Sequence, residues 1–99
     1  MKIISHRGYW QTAEEKNTSI AFRRSFSMGF GTETDIRDYA GKLVISHDIP
    51  SGKEMTLEEM LIIYNESNCK APLALNVKSD GLQGHLAKLL LKYNIKNYV

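Results

Sequence analysis

The sequence has a single cysteine, Cys69, in 99 residues. One thiol cannot close an intrachain disulfide, so the expected setting is a reducing compartment, by default the cytoplasm. Long apolar runs are missing too. The longest, such as Leu89–Leu91, fall far short of the roughly 20 residues that span a bilayer. Residues 1–20 hold no continuous apolar core of the kind a secretory signal has. Neither sign of charge dominates. Thirteen basic and 11 acidic side chains leave a net +2, which gives no basis for the concentrated basic face that nucleic acid requires. There are no internal repeats, low-complexity stretches or linkers, and no Walker-type glycine loop, zinc-spaced cysteine set or Gly-x-Ser-x-Gly elbow. What remains is 42% apolar and 24% charged residues, a soluble globular composition in one modest domain over residues 1–99.

The chain alternates strand-like and helix-like segments. Lys2-Ile3-Ile4-Ser5 is a short β-branched run that ends at His6-Arg7-Gly8 and reads as a buried strand feeding a loop. Residues 9–17 are polar and irregular. Asn17-Thr18-Ser19 then caps a helix with apolar positions Ile20, Phe22 and Phe26, stopped by Gly29. A second strand runs from about Thr32 to Tyr39. After the turn signal Ala40-Gly41-Lys42, Leu43–Ser46 returns as a third, antiparallel strand and meets His47-Asp48-Ile49-Pro50. Thr56-Leu57-Glu58-Glu59 is a capping box, and Leu57, Met60, Leu61 and Tyr64 follow at helical spacing. Pro72–Lys78 reads as another buried strand. Ser79-Asp80-Gly81 opens a helix with Leu82, Leu86, Leu89, Leu90 and Tyr93 on one stripe. Ile95–Val99 resembles the start of one more strand. This alternation predicts βαβ units and a mostly parallel sheet. Periodicity alone does not separate an open doubly wound sheet from part of a barrel.

Residues two apart in a strand share a face, so Glu33, Asp35 and Arg37 point one way and Thr34 and Ile36 the other. Two carboxylates so placed can share a hard cation such as Mg²⁺ or Ca²⁺, or can simply face water on an exposed edge. His6 and His47 each end a β-run, where α/β folds bind ligands. Imidazoles on either side of a phosphodiester can act as base and acid near neutral pH; a single histidine at a strand end is more often a satisfied structural residue, and two such histidines make the better case. Arg7 offers a fork matched to phosphate oxygens, and its alternative is a surface ion pair. Lys78 shares a face with Asn76 and Ala74 and either meets an anion or extends into solvent. Tyr9 and Trp10 either line a substrate pocket or cover a core edge. His85 reads as a surface residue of its helix, and Cys69 has no clear partner.

In order, His6-Arg7-Gly8, Asn17-Thr18 with Ala21-Phe22, Gly31, Glu33-x-Asp35, His47-Asp48 and Leu75-Asn76-Val77-Lys78 resemble the glycerophosphodiester phosphodiesterase family. The resemblance extends over essentially the whole chain. It implies an α/β fold, a TIM-type (β/α)₈ barrel of which this chain supplies about the first four βα units with a small inserted hairpin. It also implies metal-dependent hydrolysis of a glycerol phosphodiester to glycerol phosphate and an alcohol. Carried over, His6 and His47 are the acid–base pair, Arg7 and Lys78 hold the phosphate, and Glu33, Asp35 and Asn76 form the place of a divalent cation, Mg²⁺ or Ca²⁺. Two positions depart from the family pattern. Lys16 stands where glutamate precedes the asparagine, and Asn76 stands where the third acidic metal ligand is typical.

A full barrel of this type takes about 200–250 residues. The expectation is therefore that this chain is the front part of a longer enzyme, associates with itself, or closes differently, the second suggested by its leucine-rich final helix. Its partner is a small-molecule phosphodiester, with no nucleic acid and no membrane span. The alternative to the hydrolase is a catalytically silent phosphate-ester or sugar-phosphate binder on the same scaffold.

Overall fold

The computed structural model describes residues 4–78, 81–96 and 98. Its elements are strand β1 (Ile4–His6), helix α1 (Ser19–Ser27), strands β2 (Gly31–Tyr39) and β3 (Lys42–Ile45), helix α2 (Leu57–Glu66), strand β4 (Leu73–Val77) and helix α3 (Gln83–Lys92). A short 3₁₀ turn at Ala13–Glu15 lies between β1 and α1. The expected strand positions Lys2, Ile3, Asn97 and Val99 and the expected helix opening at Ser79-Asp80 lie outside the described residues. Among the described residues no helix is long and apolar enough to cross a membrane.

Strand β2 is the centre of a four-stranded sheet. β1 pairs with its beginning in parallel, with His6 opposite Glu33. β4 pairs with it in parallel from Thr32↔Leu73 to Ile36↔Val77. β3 folds back antiparallel on its second half, with Ile36 opposite Ile45. The hairpin turn places Ala40 at φ 52° and Gly41 at φ 82°, the left-handed pair that matches strand twist in a two-residue turn. The expected mixture of parallel strands and one antiparallel return is therefore present. Tyr98 makes a parallel bridge to Leu73, beside β4, in the segment expected to begin another strand.

The helices form where their caps and stripes coincide. The Thr18 hydroxyl accepts the Ala21 N–H at the start of α1, and Ala21, Phe22, Ser25 and Phe26 are buried. Ile20, expected on that stripe, is 56% exposed. At 100° per residue it falls opposite the arc of the buried four. In α2 the capping box is complete: Thr56 Oγ1 accepts from Glu59 N at 3.2 Å, and Glu59 Oε1 accepts from Thr56 N at 3.2 Å. α3 starts at Gln83, and its cap residue Leu82 has no side-chain cap bond. Gly81 precedes it at φ +80°, a left-handed conformation that cannot continue into a right-handed helix.

All three helices contribute to one core on one face of the sheet. Phe22, Phe26, Ile36, Ile45, Leu57 and Leu61 are buried within it, each by about 1.5–3 kcal/mol of apolar transfer. Phe26 meets Tyr64 edge-on at 5.1 Å. Leu89 and Leu90 of α3 are buried in the same core, and Leu82, Leu86 and Tyr93 pack against it. The leucine stripe that suggested self-association is thus turned onto the chain's own core, leaving Leu91, 82% exposed, outside it. The other face of β2 and its neighbours carries Glu33, Asp35, Arg37 and Asn76, and this separation is what builds the site.

Candidate functional site

The loop after β1 is held in an unusual shape by its own backbone. Arg7 adopts φ +58° and Gly8 φ +85°. A left-handed conformation costs a non-glycine residue about 1–3 kcal/mol, and such residues cluster at functional sites. Hydrogen bonds hold it there: Arg7 N donates to Glu33 O at 2.6 Å, Asn17 N to Arg7 O at 2.9 Å and Tyr9 N to Ala21 O at 2.9 Å. Gly8 N donates to Thr32 Oγ1 at 2.8 Å. A Cβ on Gly8 would lie 2.7 Å from the Ala21 Cβ and 2.9 Å from its carbonyl carbon, so this loop requires glycine. Asn17 adds a side-chain tie, its Oδ1 accepting from Thr34 Oγ1 at 2.6 Å. These bonds place His6 and Arg7 over the ends of the parallel strands.

Asp35 is the hub. Its side chain is 3% exposed, and four neighbours converge on it. His47 Nδ1 lies 2.9 Å from Oδ2 and Arg7 Nε 3.8 Å from the same oxygen. Asn76 Nδ2 is 3.3 Å and Lys78 Nζ 3.7 Å from Oδ1. His6 stands at one side of the hub, with Nε2 3.3 Å from Glu33 Oε1. That approach lies off the hydrogen-bond direction, and the buried Glu33 Oε1 has no donor. His6, Arg7, Glu33, Asp35, His47, Asn76 and Lys78 therefore form one chain of neighbours at one end of the sheet. The strand register explains this, because Asp35 is paired with Asn76 on one side and Ser46 N, just before His47, donates to Asp35 O at 3.1 Å on the other.

His47 Nδ1 has competing neighbours, since Arg7 Nη2 is 2.7 Å from it. A guanidinium only donates, so an unprotonated Nδ1 can serve Arg7 and a protonated one Asp35, but not both.

Arg37 was recognisable in sequence only as sharing the face of Glu33 and Asp35. It donates from Nη2 to His47 O at 2.8 Å, and its Nε is buried without an acceptor. The period-2 pattern was the available signal, but the partner lies ten residues away across a hairpin. Tyr9 and Trp10 have framework contacts: Tyr9 stacks on Phe30 at 5.9 Å, and Trp10 Nε1 donates to His6 O at 3.0 Å. Cys69 is buried, its thiol 3.4 Å from Phe30 O, and His85 is exposed.

A divalent cation would meet an oxygen set made of Glu33, Asp35 and Asn76. Glu33 Oε1 is buried without a donor, and the contacts on Asp35 Oδ1 are long, at 3.3 and 3.7 Å. Both oxygens thus retain lone pairs, whereas the Asn76 amide presents its nitrogen to Asp35 Oδ1 and would have to turn over to offer a third oxygen. The set fits a hard, oxygen-seeking cation, with two negative charges. No group of three or more His, Cys, Asp or Glu side chains suited to a metal occurs among the described residues.

A mixed α/β fold with a polar site at the strand ends is the class these observations define. No protein-family model and no curated protein matches the sequence. Among solved structures, the fold is similar to the crystal structure of a "putative glycerophosphodiester phosphodiesterase from Galdieria sulphuraria", with a TM-score of 0.78 and 20% sequence identity over 98% of this chain and 54% of that one. This chain thus spans about half the length of that structure, and at this identity the likeness is one of fold.

Proposed function

We propose that this chain forms the leading part of a TIM-type barrel and carries the proton-transfer and phosphate-binding groups of a phosphodiester hydrolase acting on glycerophosphodiester-like substrates. The supporting observation is the convergence around Asp35. Two histidines from different strand ends flank a carboxylate pair, with Arg7 and Lys78 at its rim. The similarity of fold adds support.

In this reading Arg7 leaves His47 for the phosphate and Lys78 offers a point charge to another of its oxygens. Asp35 orients the His47 ring through Nδ1. One histidine takes the proton of the attacking hydroxyl while the other protonates the departing alcohol oxygen, so the P–O bond to the alcohol breaks as the new P–O bond forms. Glu33 sits beside His6 and Arg37 holds the backbone of His47. A cation held by Glu33, Asp35 and the Asn76 amide would supply Lewis-acid polarisation of the phosphoryl oxygens.

One observation favours a second reading, a catalytically silent phosphate-ester or sugar-phosphate binder on the same scaffold. Asn76 reduces the negative charge available to a cation. The test is release of glycerol phosphate from a glycerophosphodiester with Mg²⁺ or Ca²⁺. Release that is abolished in His6→Ala and in His47→Ala supports the hydrolase. Phosphate-ester binding that needs Arg7 and Lys78 but gives no product supports the binder.

A further inference from the structure

Lys78 is drawn on from two sides of the site. Its Nζ lies 3.7 Å from Asp35 Oδ1, an oxygen of the set that suits a hard cation, and it is one of the two side chains assigned to the phosphate. Its main chain is held separately, Lys78 N donating to Ile36 O at 2.9 Å just past the end of β4. The side chain is 34% exposed, so the ammonium can turn while the strand end stays in place.

Asp35 has no such freedom. Its side chain is 3% exposed, and a carboxylate that deep needs compensating charge beside it. His47 Nδ1 and Arg7 Nε stand at Oδ2, at 2.9 and 3.8 Å. At Oδ1 the described neighbours are Lys78 and the uncharged Asn76 amide, whose Nδ2 is 3.3 Å away. Lys78 is thus the charge that Oδ1 already has. Glu33 Oε1, on the same strand face, is buried without a donor, a costly state for a carboxylate oxygen that an ion would relieve. A divalent ion takes carboxylate oxygens at about 2.0–2.6 Å. Seated on Oδ1, it would lie within a few ångströms of the ammonium there, and like charges at that range repel strongly in a partly buried site. The doubly charged ion and Lys78 are therefore alternatives on one oxygen.

We infer that Lys78 is an internal stand-in for the cation: a divalent ion displaces it from Asp35, and the released ammonium serves the phosphate. Cation and phosphate then each tighten the other's binding by the same factor, as linkage requires. The inference rests on the cation set and the phosphate site assigned above, and adds the coupling between them. Direct contact between the ion and a phosphate oxygen would also couple the two, but that route does not pass through Lys78.

Binding of Mn²⁺, which takes the same oxygen ligands as Mg²⁺ and Ca²⁺, tests this without any turnover. The free ion is followed by electron paramagnetic resonance, with and without glycerol 3-phosphate, and corrected for the ion's own complex with the ester. Saturating glycerol 3-phosphate should tighten Mn²⁺ binding to the native chain roughly tenfold, within the usual span of coupling between two sites. Lys78→Met should bind Mn²⁺ roughly tenfold more tightly than the native chain when no phosphate is present, and glycerol 3-phosphate should tighten it little further. Lys53→Met removes an equal charge outside the Asp35 cluster and should change neither value. Unchanged Mn²⁺ affinity in Lys78→Met, an equal phosphate effect in the native chain and that variant, or an effect of Lys53→Met as large as that of Lys78→Met overturns the inference and leaves the cation set and the phosphate site standing. Absence of Mn²⁺ binding by both the native chain and Lys78→Met refutes the cation set. Absence of glycerol 3-phosphate binding by the native chain, with or without Mn²⁺, refutes the phosphate site. The inference falls with either.

Discussion

Asn76→Asp is the substitution that most directly interrogates the hub. In the native chain the amide nitrogen points at Asp35 Oδ1 from 3.3 Å. Replacing it by a carboxylate removes that hydrogen bond and sets two like charges about 4 Å apart. With an effective dielectric near 20 such a pair repels by about 4 kcal/mol. Residue 76 is exposed and Lys78 Nζ stands 3.7 Å from the same Asp35 oxygen, so solvent and the lysine screen much of this. The expected net loss is about 2 kcal/mol in chelator, or roughly 10 °C in melting temperature for a chain of this size. A divalent cation reverses the sign, because the repelling carboxylates become its ligands. At a concentration one hundred times its dissociation constant it contributes about 2.7 kcal/mol, enough to offset the loss. Thermal and urea denaturation of both proteins, in chelator and then in increasing Mg²⁺ or Ca²⁺, reads both effects. A variant as stable as the native chain in chelator would refute the contact at Asp35. One destabilised in chelator but unmoved by either cation would refute the shared oxygen set.

Arg37→Gln should lower hydrolysis on the order of 100-fold, since displacing a reacting group by about 1 Å has that effect; Arg37→Lys should recover part of it, and kcat should fall more than KM rises. Gly31→Ala should prevent folding, because its Cβ would lie 1.9 Å from Pro72 O where β2 and β4 approach; circular dichroism of a native-like variant would contradict the register. Glu54→Gln should destabilise the chain at neutral pH. The folded Glu54 pKa is lowered to about 2 from 4.5, so its contribution is complete above about 4.5 and is lost as pH falls through about 2. Urea midpoints of the two proteins should therefore converge over that interval, and a pH-independent difference would show that the hydrogen bonds Glu54 accepts from Ser51 N and Gly52 N are not its source.

Local sequence determined most of the elements. The capping box at Thr56, the stripe Leu57-Met60-Leu61-Tyr64, and the Ala40-Gly41 turn each contain the stereochemistry they encode within a few residues, so α2 and the β2–β3 hairpin are legible in the order of amino acids alone. Period-2 alternation likewise placed Glu33, Asp35 and Arg37 together opposite Ile36. Where local signals failed, packing decided. Ile20 lies outside the stripe because the sheet sets which arc of α1 is buried, and α3 begins at Gln83 because Gly81 is left-handed. The leucines of α3 were legible as a stripe, but not as a stripe turned inward.

The order of residues assigns polar and apolar groups to one face or the other of each element. Packing in three dimensions brings Arg7, His47, Asn76 and Lys78 to the Asp35 carboxylate and lets Arg37 reach the carbonyl of His47. The difference is one of range. Caps, turns and alternation are properties of neighbouring residues, whereas the Asp35 cluster depends on the register of three different strands against β2, which is set by the burial of a core on the opposite side of the sheet.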